Sequence, residues 1–369
     1  MPESPPWLNL CQHLETQDIN PQLSSPLYNG RIPNEIRTLI FEYALTESPS
    51  PTALTIDPSL QSDGHHSVLI PNPRTWQTDL SVSNIRRPQD GFDWLRPDNT
   101  EPKELAIPLL LTCRRAYLET HSLPVLQKEH VFYCNRGHPQ SRIVEDYFEN
   151  VLSRPAPTPG LQRKDLVRSV RLLTQQFWLE DKLWSLATST DWFHAVEHFR
   201  ITLRRCDWWN WEHNHFLRIN PFRGNVWAPR CLQEMRADMQ AEAGSIPFQP
   251  KAWGAIFQHM PRLKTLTIDF ETSQDKKAEL EAIVDWAVKW RFPLSDGRHL
   301  TTEGEPVEKM SWRGLAYHWS SVVRACYKGL RNCNADCEDC LGRRGLEASG
   351  YGPMLYVWTV TWNPSCEES

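Results

Sequence analysis

The sequence is short of glycine and of long apolar runs and has no excess of basic charge, and each of these features excludes a class of protein. Its 369 residues include 16 Gly, about 4% against a usual share near 7%, so a glycine-rich phosphate-binding loop is not expected. The longest predominantly apolar stretch, 105–113, has about half of the roughly 20 residues that span a bilayer. With 40 basic and 45 acidic side chains, the net charge of -5 argues against a general nucleic-acid binder.

The first ten residues, MPESPPWLNL, do not have the pattern of an export signal. They contain an acidic residue and three prolines where a secretory signal has basic residues followed by an apolar run. We therefore expect an intracellular protein, cytoplasmic or nuclear, without a membrane partner. The 10 Cys are expected to be mostly reduced in these compartments.

The common catalytic motifs are also absent from the sequence. It contains no GxSxG, no HExxH and no cysteine in a recognisable nucleophile setting. Isolated carboxylates such as Glu180, Asp181 and Asp269 leave acid/base chemistry open, although any chain of this length has such residues. No catalytic residue and no cofactor are therefore predicted.

Composition along the chain predicts two domains. A poorly ordered arm covers residues 1–26, and a helical module covers 27–152 with a long polar insertion at 46–108. Residues 153–160, SRPAPTPG, are typical of a semi-rigid proline spacer. A second domain then covers 161–369, where β-branched segments alternate with helical patterns.

Apolar spacing places the first helix of the module. Ile36, Leu39, Ile40, Tyr43 and Ala44 recur at intervals of three and four, which predicts one face of an amphipathic helix. Pro33 and Asn34 give the start signal, and the prolines of SPSP end the helix near residue 46. Helical pattern returns after Pro108 and leads to a strand at 131–134.

The second domain is predicted to be an irregular α/β arrangement. The expected strands are 166–173, 198–203, 263–270 and 354–362, and the expected helices are 191–197, 231–242, 250–259 and 274–290. The predicted fold class is therefore α+β, with a small helical module followed by a tryptophan-rich sheet domain.

Two separated segments of the module carry a family resemblance. The first has Ile32, Pro33, Glu35, Ile36 and Arg37, and the second has the run Leu111, Thr112, Cys113 and Arg114 followed by Tyr117, Glu119 and Phe132. In this order they resemble the paired helices of the fungal F-box-like proteins of unknown function. The resemblance covers about 45 residues of the first third of the chain.

The resemblance implies a partner-binding module. Its expected partner is the small adaptor subunit of cullin-type ubiquitin ligases, and the expected binding residues are Ile32, Pro33, Ile36, Arg37, Ile40 and Leu111. A small helical unit can bury only one apolar stripe of each helix. Further apolar residues such as Leu39, Phe41 and Leu110 therefore need either the second domain or another protein to cover them. Both alternatives remain open at this stage.

Tryptophan is the most unusual feature of the composition. Of 17 Trp, 14 follow the proline spacer. Trp208, Trp209 and Trp211 stand in CDWWNWEHNHF and are candidate anchors for an extended peptide. The alternative is an aromatic hairpin packed against the sheet. The letters HNH suggest a nuclease, but a basic surface for the phosphodiester is missing.

Four cysteines near the C-terminus are a candidate zinc site. Cys326, Cys333, Cys337 and Cys340 lie within 15 residues and end in a CxxC pair, with His318 as a substitute ligand. Only one CxxC pair is present, and the acidic neighbours disfavour thiolates. The alternative is therefore a loop (326–340) of ordinary thiols without metal.

The sequence thus favours a non-enzymatic interaction or adaptor protein, in which the first domain binds the ligase adaptor and the second selects a protein target. One alternative is an enzyme or auxiliary factor of fungal metabolism that uses a tryptophan-lined pocket. Another is a structural protein with a zinc-stabilised loop.

Overall fold

The computed structural model describes residues 18–46, 48–49, 103–104, 106–134, 144–153, 156, 162–211, 215–224, 231–241, 245–313, 337, 341 and 354–365. They form two compact units. The first contains the described residues of Met1–Leu54, Glu101–His130 and Glu145–Ser169, and the second contains those of Val131–Val144 and Val170–Ser369. Most of the predicted insertion and of the proline spacer lies outside the described residues.

The first unit is built mainly from short helices. They are α1 (Asn34–Ala44), α2 (Ile107–Leu110), α3 (Arg114–Thr120), α4 (Leu123–Leu126) and α5 (Val144–Tyr147), which continues as a π-helical turn over Phe148–Leu152. A 3-10 helix follows at Arg163–Leu166, and two short strands, β1 (Ser48–Pro49) and β2 (Lys103–Glu104), pair antiparallel. Tyr28, Phe41, Leu45 and Leu123 form a buried cluster, against which Leu109 and Leu110 pack.

Local sequence explains where the helices of this unit begin. Pro33 stands in the cap position of α1, as expected from the sequence, because its fixed φ suits a helix entry. At α3, the Sγ of Cys113 accepts a hydrogen bond from the Ala116 N–H at 3.4 Å. The Thr112 hydroxyl donates to the Leu109 carbonyl, which closes the turn between α2 and α3. The Thr-Cys-Arg motif is therefore a helix cap.

The second unit is organised around an eight-stranded sheet. Its order is β3 (Glu129–Tyr133), β4 (Ser169–Leu173), β5 (His198–Leu203), β6 (Thr265–Ser273), β10 (Met354–Pro364), β8 (His299–Thr301) and β7 (Phe292–Pro293), and β9 (Glu308–Arg313) also pairs with β10. β5 and β6 are parallel, whereas β10 is antiparallel to β6, with Ile201 and Val360 on either side of Ile268. The sheet is mixed, and the predicted α+β class is confirmed.

Aromatic side chains cover the apolar face of the sheet. The helices of this unit are α6 (Gln176–Ser189), α7 (Cys231–Gln240) and α8 (Lys277–Ala287), with 3-10 turns at Arg205–Asp207, Trp253–His259 and Gln274–Lys276. Trp290 contacts Trp253, Trp286, Phe292 and Trp362 with ring centroids 5.1–6.1 Å apart. Most tryptophans of the described residues are therefore core residues: Trp178, Trp192, Trp208, Trp253, Trp286, Trp290, Trp312, Trp358 and Trp362.

The opposite face of the sheet carries a buried charge network centred on Asp269. The Arg200 Nε and Nη2 each donate to its carboxylate at 2.8 Å, and the Arg171 Nη2 donates at 3.2 Å. The hydroxyls of Thr202 and Thr359 donate at 2.7 Å. Four strands, β4, β5, β6 and β10, are thereby joined through one carboxylate that is 1% exposed.

The four strands predicted in the second domain are confirmed, three of them with shifted ends. The expected helices at 231–242 and 274–290 are also present as α7 and α8, and 250–259 is a 3-10 helix. The helix expected at 191–197 is wrong. Trp192, Phe193, Ala195 and Val196 are all buried, and the backbone makes two i→i+3 turns instead, because a single helix face cannot bury four such neighbours.

Helix α6 was not predicted from the sequence. Trp178, Leu179, Leu183 and Ala187 face the interior, but further aromatic residues lie outside that face and blur the apolar period.

None of the helices in the described residues is long and apolar enough to cross a membrane.

Candidate functional site

Helix α1 has two apolar faces, and the structure buries the one that the sequence pattern did not indicate. Arg37, Phe41 and Leu45 point into the first unit. The predicted stripe faces solvent and forms the α1 outer face, which consists of Ile36, Leu39, Ile40 and Tyr43. Leu39 is 58% exposed and Tyr43 is 87% exposed. Of the left-over apolar positions, Phe41 and Leu110 pack inside the unit and only Leu39 is exposed.

Arg37, expected among the partner-binding residues, is buried and used within the unit. Its Nε donates to Glu119 Oε2 at 2.9 Å and its Nη1 donates to the Leu27 carbonyl at 3.3 Å. The guanidinium lies 5.0 Å from the ring centre of Tyr28, and that of Arg115 lies 4.3 Å from it. Burial, together with the charge of Glu119, raises the pKa of Tyr28 to about 12. Arg37 therefore fastens α1 to α3.

The remaining expected partner residues of the first unit lie at its surface. Pro33, Ile36 and Ile40 are exposed, and Ile32 is half-buried. Leu111, at the end of α2, is 78% exposed.

The three tryptophans of the predicted recognition loop have different environments. Trp208 is buried, donates its indole N–H to the Glu271 carbonyl at 2.7 Å and stacks on Phe270, so it belongs to the sheet core. Trp209 and Trp211 are half-buried. The guanidinium of Arg205 lies 5.5 Å from the ring centre of Trp211. Glu212 and His213 fall outside the described residues.

Trp209 takes part in a closed ring of hydrogen bonds with two residues of α6. Its indole N–H donates to Glu180 Oε2 at 2.9 Å, and its backbone N–H donates to Gln176 Oε1 at 3.2 Å. The Gln176 amide closes the ring by donating to Glu180 Oε1 at 2.8 Å, and it also donates to the Arg218 carbonyl. Both carboxylate oxygens of Glu180 are therefore held as acceptors of neutral donors.

The environment of Glu180 strongly perturbs the titration of its carboxyl. Burial raises its pKa from 4.5 to about 7, and the hydrogen bonds from Trp209 and Gln176 and the charge of Arg218 offset this only in part. Its neighbour Cys231 is also buried, and burial raises the pKa of that thiol to about 12. A carboxyl that titrates near neutral pH is one mark of a functional site.

Stability is expected to depend on the charge of Glu180. Its pKa is higher in the folded chain than in the unfolded chain, so its contribution to the free energy of unfolding falls as the pH rises from about 4.5 through about 7. Between pH 5 and pH 8 the stability of the Glu180→Gln variant relative to the wild type should therefore rise by roughly 2–3 kcal/mol. The amide nitrogen of glutamine replaces one hydrogen-bond acceptor at both pH values, so the change with pH isolates the effect of the charge. Urea unfolding at both pH values measures this difference; a difference that does not change with pH would contradict the shift.

Sequence reasoning did not connect Glu180 with Trp209. The sequence does contain one indication of this site, because Gln176 and Glu180 are four residues apart. In a helix that spacing places both side chains on the same face. Trp209 joins them only through the tertiary fold.

Of the candidate zinc ligands, only Cys337 belongs to the described residues. Cys326, Cys333 and Cys340, as well as His318, fall outside the described residues, and Cys337 is half-buried. Among the described residues, no group of three or more His, Cys, Asp or Glu side chains is arranged to hold a metal ion.

Comparison with protein-family models, with curated proteins and with solved structures finds no match to this chain.

Proposed function

We propose that this chain is a non-enzymatic protein-interaction protein that binds a partner protein through the α1 outer face. The observation that carries the proposal is the exposure of Ile36, Leu39, Ile40 and Tyr43 along one side of a single helix. Scattered apolar residues are normal on protein surfaces, but four at helical spacing form a continuous apolar strip. Such a strip suits a groove or a helix of another protein.

The inner face of α1 supports this role because it makes the outer face rigid. The Arg37 guanidinium binds Glu119 of α3, and Phe41 packs beside Tyr28 with ring centroids 6.5 Å apart. A helix held in this way presents its outer side chains without a large ordering cost on binding. Leu111 and Ile107, both exposed, add apolar surface around α2 of the same unit.

The F-box-like resemblance supports a specific partner, the adaptor subunit of cullin-type ubiquitin ligases. The motif residues that would bind it include Pro33, Ile36 and Ile40, all at the surface. In this proposal the first unit binds the adaptor, the second unit selects the protein to be modified, and the protein works in the cytoplasm or nucleus.

The test is binding of the purified adaptor subunit to the full chain by calorimetry. The double variant Leu39→Asp, Tyr43→Asp should weaken binding by about a hundredfold or more, because it places two charges in the apolar interface. Its unfolding transition should match that of the wild type, since both side chains are exposed.

Thr38→Asp is the matched control for this experiment. It adds a charge to an exposed position of the same helix, away from the outer face, so adaptor binding should stay within about twofold of wild type. Failure of the wild-type chain to bind the adaptor, or equal binding by the double variant, would remove the proposal.

A further inference from the structure

Helix α6 carries an aromatic and acidic surface that its packing does not require. Phe177, Glu180, Asp181 and Trp184 follow at intervals of three, four and seven, so they share one side of the helix, called the α6 outer face. Phe177 is 43% exposed, Asp181 is exposed, and Trp184 and Glu180 are half-buried. The buried face of α6 is formed by other residues, which include Trp178, Leu179, Leu183 and Ala187.

Trp209 extends this face into a small niche. Its ring lies 6.2 Å from that of Phe177 at an interplanar angle of 57°, so the two rings form a tilted pair. The carboxylate of Glu180 is fixed beside them by the hydrogen bonds from Trp209 and Gln176. Those two bonds use about half of its lone-pair positions, so it can accept further donors.

The charge on this face selects a cationic group. Glu180 and Asp181 are acidic, and the faces of Phe177 and Trp209 attract cations through their ring quadrupoles. The two hydrogen bonds to the carboxylate of Glu180 come from neutral donors, and Arg218 acts on its charge from the adjoining segment. A guanidinium or ammonium group of a partner would add a charged donor to the neutral donors that Glu180 already has.

We propose that the α6 outer face binds a Lys- or Arg-rich segment of a protein partner, with one cationic side chain lying on the Phe177 and Trp209 rings beside Glu180. This inference rests on the proposed role in protein interaction and assigns the second unit a class of target. Such a target is an extended basic peptide rather than an apolar helix, so the two units would bind chemically different partners.

Other titratable groups surround the niche and shape its response to pH. Arg218 acts on Glu180 from the adjoining segment, the thiol of Cys231 lies near it on α7, and His259 stacks edge-on against Trp184 with centroids 5.8 Å apart. Protonation of Glu180 below neutral pH removes the negative charge that would hold the cation. Binding should therefore weaken as the pH falls from 8 to 6.

The test uses acetylated tetralysine amide as the probe and the full chain, with binding followed by tryptophan fluorescence or calorimetry at low salt. Glu180→Gln should raise the Kd about fivefold or more at pH 8 and flatten its pH dependence. Trp209→Phe, which keeps a ring but loses the indole donor to Glu180, should raise it by a smaller factor.

Glu281→Gln is the matched control, because it removes the same charge from a side chain on α8 that is 44% exposed. It should leave the Kd within about twofold of wild type. Absence of tetralysine binding, or equal effects of the two glutamine variants, would overturn the proposal. Since the probe does not involve α1, this outcome is distinct from failure of adaptor binding.

Discussion

Asp269→Asn is expected to lower the free energy of unfolding of the second unit by about 3–5 kcal/mol. The substitution keeps the shape of the side chain but removes the charge that faces the Arg171 guanidinium, whose side chain is only 5% exposed. It also places an amide donor among hydroxyl and guanidinium donors. A buried cation that loses its counter-ion cannot recover solvation, so the loss should greatly exceed that of a surface ion pair.

Urea unfolding followed by tryptophan fluorescence measures this effect, since the buried indoles belong to the same unit. Asp296→Asn is the matched control, because Asp296 pairs with Arg298 at the surface and both side chains are nearly half exposed. Its transition should nearly coincide with that of the wild type. If the two asparagine variants unfolded at similar urea concentrations, the network would not be the link between strands that its geometry indicates.

Trp290→Ala is expected to cost about 3–5 kcal/mol of stability, because it removes the central ring of the aromatic core. Trp290 is 1% exposed and contacts rings from several elements, including Trp253, Trp286 and Trp362. A cavity of this size between rigid rings cannot collapse without moving the sheet and α8 together.

The indole N–H of Trp290 adds a second, finer expectation. It has no hydrogen-bond partner in the described structure, so Trp290→Phe loses ring area without losing a hydrogen bond. This variant should cost less than half as much as Trp290→Ala. Trp184→Ala, at a half-buried position, is the control for removing an indole, and a loss equal to that of Trp290→Ala would contradict the central position of Trp290. Thermal and urea unfolding of the three variants provide the comparison.

The strands show where sequence reasoning was sufficient. The segment HFRITL predicted a strand at 198–203, and β5 has those ends. The apolar residues Phe199, Ile201 and Leu203 alternate there with polar ones, of which Arg200 and Thr202 bind Asp269. Cys231–Gln240 and Lys277–Ala287 were similarly visible, since each buries one regular stripe. The spacing of apolar residues therefore predicts a helix or a strand when a single face of that element is buried.

Helix α6 shows where this reasoning fails. Its aromatic residues lie on both the inner and the outer face, so no single period emerges from the sequence. The same feature makes the helix interesting for function, because Phe177 and Trp184 are not needed for the core. The segment at 191–197 fails for the related reason that burial on all sides gives no period.

What the sequence determined by itself was the class of structure: an α+β chain whose tryptophans concentrate in the sheet domain, and a first helix that begins after Pro33. Tertiary structure alone decided which side of α1 is buried, because the Arg37 bond to Glu119 joins residues 82 positions apart. It alone also joined Glu180 to Trp209 and gathered two arginines on Asp269. Hydrogen bonds and ion pairs between distant segments depend on geometry that no local pattern contains, and they determine which surfaces remain available to bind.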